Sequence, residues 1–156
     1  MSNSLTILAQ LIHKDDFITL EYILKSLQSL TESRDESTLN EISTYGFIPR
    51  IMKFVNNEDE GISSKALHIV GNFALGTPEV TKQLVENNIF QMLPNIIDSR
   101  NKGLRHEGCY ILGNILTDKF KEQNLFVLNK IMPIIIQRLE DDVEGVLLIF
   151  FKSNFS

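Results

Sequence analysis

The chain has 156 residues, of which 43% are hydrophobic and 22% charged, and a formal net charge of −5 at pH 7. That length and balance fit one folded domain with a sizeable core and exclude a disordered chain. The acidity excludes a general nucleic-acid binder, which is basic as a rule, and suits a cationic partner.

The predicted elements run as follows. Leu5, Ile7, Leu8, Leu11 and Ile12 make a short first helix, residues 13–16 connect, and residues 17–30 make a second helix. Residues 32–38 are polar and read as a loop or helix start. Residues 39–44 form a short helix that Gly46 breaks. Residues 47–55 form the next, with Pro49 tolerable only in the first turn. Residues 56–61 turn, Ser63 or Ser64 caps a helix over 65–75, and Gly76 ends it. Residues 79–86 are again a short helix and Asn87-Asn88 a break. Residues 89–97 form a helix with Pro94 partway in, 98–103 a turn, and 104–117 a long helix. A last round begins with a helix over 119–128, a second over 131–139 containing Pro133, and an acidic turn over 140–145.

The helix over 104–117 carries apolar residues at helical spacing: Leu104, Cys109, Ile111, Leu112, Ile115 and Leu116. Tyr110 and Asn114 stand four apart, one turn above the other on one face. An internal Asn costs about half a kcal/mol relative to Ala and so wants a reason. The cassette has a twin, because Lys65-Ala-Leu-His68-Ile-Val-Gly71-Asn72 lines up with Glu107-Gly-Cys-Tyr110-Ile-Leu-Gly113-Asn114. The two Gly-Asn pairs lie 42 positions apart (114 − 72). A period of about 40–47 marks stacked helical repeats of the armadillo or HEAT kind. Residues 20–31 overlay 66–77 without gaps, which sets Ser26 where Asn72 stands. The chain then divides as one repeat domain over 1–156, with a partial repeat over 1–38, repeats over 39–77 and 78–118, and a truncated one over 119–156.

A short helix, a Pro-bearing helix, a polar turn and a long helix ending in Gly-Asn resemble an armadillo repeat. More narrowly, Ala66-Leu-His-Ile-Val-Gly-Asn-Phe-Ala-Leu-Gly-Thr-Pro-Glu-Val-Thr81 and Lys102-Gly-Leu-Arg-His-Glu-Gly-Cys-Tyr-Ile-Leu-Gly-Asn-Ile115 resemble third helices of importin-α, the adaptor family for nuclear localisation signals. The likeness covers roughly residues 40–140. It implies an all-α, right-handed armadillo superhelix of about three and a half repeats. It also implies a groove in which aromatic faces flank Lys and Arg side chains and Asn amides hold the backbone of an extended peptide. On that resemblance His68 and Tyr110 take the aromatic positions, Asn72 and Asn114 the amide positions, Asp118 an acidic position and Thr117 a small hydroxyl position.

The implied partners are Lys/Arg-rich segments of cargo proteins, and the implied location is the cytoplasm and nucleus. The sequence departs from the family in having no Trp and in placing Ser26 at an Asn position. No basic amino-terminal segment is present, which argues against importin-β as a partner. The alternative function is a generic armadillo scaffold for protein–protein contacts that reads no nuclear signal.

Other chemistries find little support. The lone Cys109 makes no internal disulfide and fits a reducing compartment, where it reads as small core filler. His106 and Glu107 lie near Cys109, but adjacent helical residues do not face each other, so no catalytic set forms. His13, His68 and His106 have no metal-ligand spacing, and no phosphate-binding glycine loop is present, so no enzyme and no cofactor is expected. No secretory pattern opens the chain, and no run of about eighteen apolar residues could span a membrane. Acidic clusters at 58–60 and 140–142 read as solvated turns. Val146, Leu147, Leu148, Ile149, Phe150 and Phe151 form an unbroken apolar run expected to self-associate.

Overall fold

The computed structural model describes residues 2–14, 16–116 and 121–138. Thr117 and Asp118, the 140–142 acidic turn and the apolar run from Val146 to Phe151 lie outside the described residues. The described residues are helical and contain no strand. They form α1 (Ser2–Leu11), α2 (Phe17–Thr31), α3 (Glu36–Ser43), α4 (Phe47–Ile51) continued by a 3-10 turn (Met52–Phe54), α5 (Glu60–Phe73), α6 (Pro78–Glu86), α7 (Ile89–Ile97), α8 (Lys102–Ile115) and α9 (Lys121–Arg138). Two compact units result, Met1–Asn87 and Asn88–Ser156.

The repeat is written in the punctuation of the chain as well as in its apolar pattern. The short helices α3 and α6 are capped by Asp35 and Thr77, whose side chains accept from the N–H groups of Thr38 and Val80. The breaks after them are left-handed residues, Gly46 at φ +74° and Asn88 at φ +66°. Glycine takes that backbone conformation without cost, and Asn is among the few other residues that tolerate it. The long helices α5 and α8 are capped by Asp59 and Asn101. Each of these three pairs stands 42 residues apart, the period of the Gly-Asn pairs.

In the N-terminal unit α2 packs on α5, α3 on α4 and α6, and α4 on α5. Phe47, Phe73, Leu24, Leu27, Leu39, Ile51 and Leu67 fill its core with at most 1% exposure each. Two polar contacts fix how α2 lies against α5. Lys65 Nζ meets Glu21 Oε1 at 3.2 Å near their starts, and Asn72 meets Thr31 near their ends. The two helices therefore run side by side in the same direction. Arg50 ties α4 to the end of α1, donating from Nε to the Ile12 carbonyl at 2.9 Å while its guanidinium lies 4.9 Å from the Phe54 ring centroid. In the C-terminal unit α7 packs on both α8 and α9, around Leu93, Ile97, Ile111, Leu112, Ile131 and Ile135.

Several boundaries differ from the sequence-based expectation. The cap of α5 is Asp59, not Ser63 or Ser64, so the helix starts five residues earlier than position 65. Ser63 is inside the helix, and its hydroxyl donates to the Val55 carbonyl at 2.6 Å. The acidic cluster at 58–60 therefore supplies a cap as well as solvated charge. The helices expected at 119–128 and 131–139 are one helix, α9, with Pro133 inside it. A proline removes one backbone hydrogen bond, yet the helix runs through Asn129 and Lys130 without a break.

The caps also set an acid dependence. The N–H of Thr38, followed by its hydroxyl, holds the Asp35 carboxyl below the ordinary aspartate value of 3.8, and the hydroxyl of Thr19, followed by its N–H, does the same for Asp16. A carboxyl lowered in the folded state adds stability above its unfolded value, and that stability is lost as pH falls through the lowered one. Thermal stability is thus expected to fall below about pH 4, and Asp35→Asn, which keeps an acceptor oxygen without the charge, to flatten part of that fall. An unchanged slope of Tm against pH in the variant counts against this role.

Candidate functional site

Of the sequence-predicted residues, His68 and Asn72 lie on α5 and Tyr110 and Asn114 on α8, and the two helices belong to different compact units.

On α5 the buried residues Ile62, Ala66, Leu67, Ile69, Val70 and Phe73 wrap more than half the helix, as expected for an inner helix of a repeat. The outward stripe is Gly61, Ser64, Lys65 and His68, spaced three and four apart. His68 is half-buried. Asn72 would continue the stripe one turn later, but it is 1% exposed. Its Nδ2 donates to Thr31 Oγ1 at 3.1 Å. Thr31 is itself fully buried, and its hydroxyl lies 2.9 Å from the Leu27 carbonyl and 3.0 Å from that of Gln28. The α5 asparagine thus has a partner inside its own unit.

Thr31 was not among the predicted site residues, and a signal for it exists. Ile23, Leu24, Leu27 and Thr31 form one buried face of α2. A hydroxyl at the end of an apolar stripe must find a partner or lose hydrogen bonding on burial. A second residue is also absent from that set. The overlay that sets Ser26 against Asn72 sets Tyr22 against His68, and Tyr22 is 68% exposed on α2, with Ile18 one turn before it at 64%. The Ser26 hydroxyl donates back to the Tyr22 carbonyl at 2.8 Å, so it is occupied on its own helix.

On α8 Asn101 Oδ1 accepts from the N–H groups of Gly103 and Leu104 at 2.9 and 3.3 Å, which sets the first turn two residues ahead of position 104. Arg105 is nearly buried, and its Nη1 donates to the carbonyls of Ser99 and Arg100, both at 3.0 Å. One guanidinium so anchors the loop from which α8 begins. Gly108, Cys109, Ile111, Leu112 and Ile115 are buried. His106, Glu107, Tyr110, Gly113 and Asn114 form a half-buried stripe on the other side. Tyr110 and Asn114 stay in that stripe, one turn apart, although the Nδ2 atom of Asn114 is buried. Helix α8 ends at Ile115, just before Thr117 and Asp118.

Such a helix offers an aromatic face and an amide at successive turns, a pairing suited to an extended chain with cationic side chains. An extended peptide has no internal hydrogen bonds and depends on regularly spaced donors and acceptors. A cation over an aromatic face gains about 0.5–2 kcal/mol. Cys109 is buried beside this stripe. Among the described residues, no group of three or more His, Cys, Asp or Glu residues could hold a metal ion, and no helix is long and apolar enough to cross a membrane.

No family model matches the chain. Its sequence is similar to importin subunit alpha-1b of Oryza sativa subsp. japonica, 22% identical over 135 residues that cover 86% of this chain and 25% of that protein. It is also similar to importin subunit alpha-6 of Arabidopsis thaliana, 23% identical over 122 residues, 78% of this chain and 22% of that protein. The chain thus spans a quarter or less of the length of these relatives. Among solved structures it matches a designed armadillo repeat protein in complex with the peptide (KR)4, with a TM-score of 0.85 and 13% identity over 97% of this chain and 65% of that one. A second match is to computationally designed armadillo repeat proteins for modular peptide recognition, with a TM-score of 0.83 and 16% identity over 96% of this chain and 62% of that one. The fold is the armadillo repeat, and the sequence is importin-α-like.

Proposed function

We propose that the chain binds extended Lys/Arg-rich peptide segments, as an importin-α-like adaptor for nuclear localisation signals. The observation that carries the proposal is the half-buried stripe of α8, where Tyr110 and Asn114 stand one turn apart on the face opposite the core. Tyr110 serves as the aromatic platform for a cationic side chain and Asn114 as the backbone contact, with Thr117 and Asp118 next along the chain. On the N-terminal unit His68 on α5 and the exposed Tyr22 on α2 supply further platforms. The net charge of −5 favours a cationic ligand, and the (KR)4 peptide bound by a structural neighbour is of that chemistry. The function is recognition, not catalysis, in a protein that works in the cytoplasm and nucleus with cargo segments as its partners.

Binding by this chain alone is expected to be weak. A Kd of 1 μM requires about −8.2 kcal/mol. An amide contact at about 1 kcal/mol and one or two aromatic sites at about 1 kcal/mol each fall short of that. Fluorescence anisotropy of a labelled Lys/Arg-rich peptide at two salt concentrations is the test. A Kd above about 1 μM that rises steeply with salt is expected, with Tyr110→Ala and Asn114→Ala each weakening binding about fivefold. Absence of binding to the wild-type chain at high protein concentration overturns the proposal.

A generic armadillo scaffold is the second reading. It is favoured by the burial of Asn72 and by the exposure of Phe17, Ile18 and Tyr22 at 54, 64 and 68%. Apolar contacts to a protein partner through that helix are insensitive to salt, so the same titration separates the two.

A further inference from the structure

The two asparagines that share a register in sequence do not share an environment. Asn114 stands in a half-buried stripe with its Nδ2 turned inward, whereas Asn72 is buried as a whole, 1% exposed, and its amide donates to the hydroxyl of Thr31 at 3.1 Å. Thr31 is well placed for this. It lies on the last turn of α2, is fully buried, and its own hydroxyl reaches the Leu27 and Gln28 carbonyls at 2.9 and 3.0 Å. The hydroxyl hydrogen therefore has an acceptor on its own helix, and an oxygen lone pair faces the amide. The result is a closed relay from the Asn72 amide to the Thr31 hydroxyl to an α2 carbonyl.

An Asn side chain has two N–H donors and one oxygen. One donor is held by Thr31 and the whole residue is 1% exposed, so a peptide carbonyl reaches either N–H only if the Thr31 bond opens and the side chain swings outward. We infer that Thr31 is an internal competitor for the Asn72 amide, holding the α5 asparagine closed to a ligand that the α5 register would otherwise serve. The inference rests on the peptide-binding reading above and adds to it an autoinhibitory contact. Peptide affinity in the N-terminal unit is set by how readily the Thr31–Asn72 bond opens, and residue 31 is a positioning residue for that affinity although it is buried.

The sign of the effect distinguishes competition from simple structure. Loss of a structural hydrogen bond lowers stability and leaves peptide affinity unchanged or worse. Loss of a competitor raises affinity. Thr31→Val keeps the shape of the side chain and removes the acceptor, which leaves the Asn72 amide without its internal partner and drives it to seek another. Thr31→Ser keeps the hydroxyl and is the conservative control.

Two measurements on the full chain test this. The first is hydrogen exchange of the Asn72 side-chain amide by NMR, which needs no peptide. Slow exchange is expected in the wild type and in Thr31→Ser, and clearly faster exchange in Thr31→Val. The second is anisotropy with the Lys/Arg-rich peptide. Asn72→Ala in the wild-type background is expected to change Kd less than about twofold, Thr31→Val to tighten binding about fivefold, and Asn72→Ala added to Thr31→Val to remove that gain.

Fast exchange of the Asn72 amide in the wild type overturns the inference without any variant, which matters if Thr31→Val does not fold. So does a loss of affinity in Asn72→Ala as large as that in Asn114→Ala. Faster exchange in Thr31→Val with no peptide bound by any form overturns the peptide reading itself, and the competitor role with it. The exchange and binding outcomes so separate failure of the inference from failure of its premise.

Discussion

Gly108→Val is expected to destabilise the C-terminal unit by about 2–3 kcal/mol, read as a lower denaturation midpoint with unchanged slope. Gly108 lies in the middle of α8, where that helix meets α7. A Cβ at this position comes to 2.7 Å from Ile96 Cγ2 and 3.0 Å from Ile97 Cγ1. Both isoleucines are buried, and a β-branched side chain has one strongly preferred χ1 in a helix, so neither the Ile96 methyl nor the Ile97 methylene can swing aside cheaply. Two effects oppose each other here. On an isolated helix, replacing Gly by Ala gains about 1 kcal/mol of propensity. The clash against Ile96 costs about 1–3 kcal/mol. The clash therefore cancels or reverses the propensity gain even for Gly108→Ala, and valine, with two further methyls, falls clearly on the losing side. A rise in Tm for Gly108→Ala would show that α7 and α8 do not approach as closely as the structure places them.

Phe73→Ala has the largest expected effect, a loss of about 3–5 kcal/mol. Phe73 is the last residue of α5 and is fully buried. It sits next to Asn72, and its carbonyl lies 3.1 Å from where a Cβ on Gly76 would stand, so the chain turns tightly around it. Truncation removes the transfer free energy of the ring and leaves a cavity that the surrounding core can only partly fill. A domain of this size holds about 5–15 kcal/mol in total, so the loss is a large fraction of its stability. Denaturant unfolding followed by circular dichroism measures it. Ser64→Ala, at an exposed position on the outward stripe of the same helix, is the internal control and should change stability by less than about 0.5 kcal/mol. A Phe73→Ala loss under about 1 kcal/mol would contradict the packing described for this end of α5.

Much of the architecture was legible in the sequence because a repeat is a one-dimensional message. The 42-residue register of Asn72 and Asn114, the breaks at Gly46 and Asn88, and the helices at 89–97 and 17–30 each rest on residues close together in the chain. Apolar spacing chooses the helix face, and residues that tolerate left-handed backbone mark where one helix must stop. The armadillo fold follows from those local choices repeated. The caps were less legible. Asp59 and Ser63 both offer an oxygen four residues apart, and the Val55 carbonyl, eight residues before Ser63, decides that the serine hydroxyl is used inside the helix.

The candidate site divides in the same way. By itself the sequence determined that Tyr110 and Asn114 share a helix face and that His68 and Asn72 match them in register, because helical geometry alone places residues four apart on one side. Only the tertiary structure decided that Asn72 faces Thr31, that Tyr22 is exposed on α2, and that Gly108 lies against Ile96. The physical reason is that burial and hydrogen-bond partnership across helices depend on the distance between two side chains some forty residues apart in the case of Thr31 and Asn72. No local pattern encodes that distance; it is set by how α2 packs on α5.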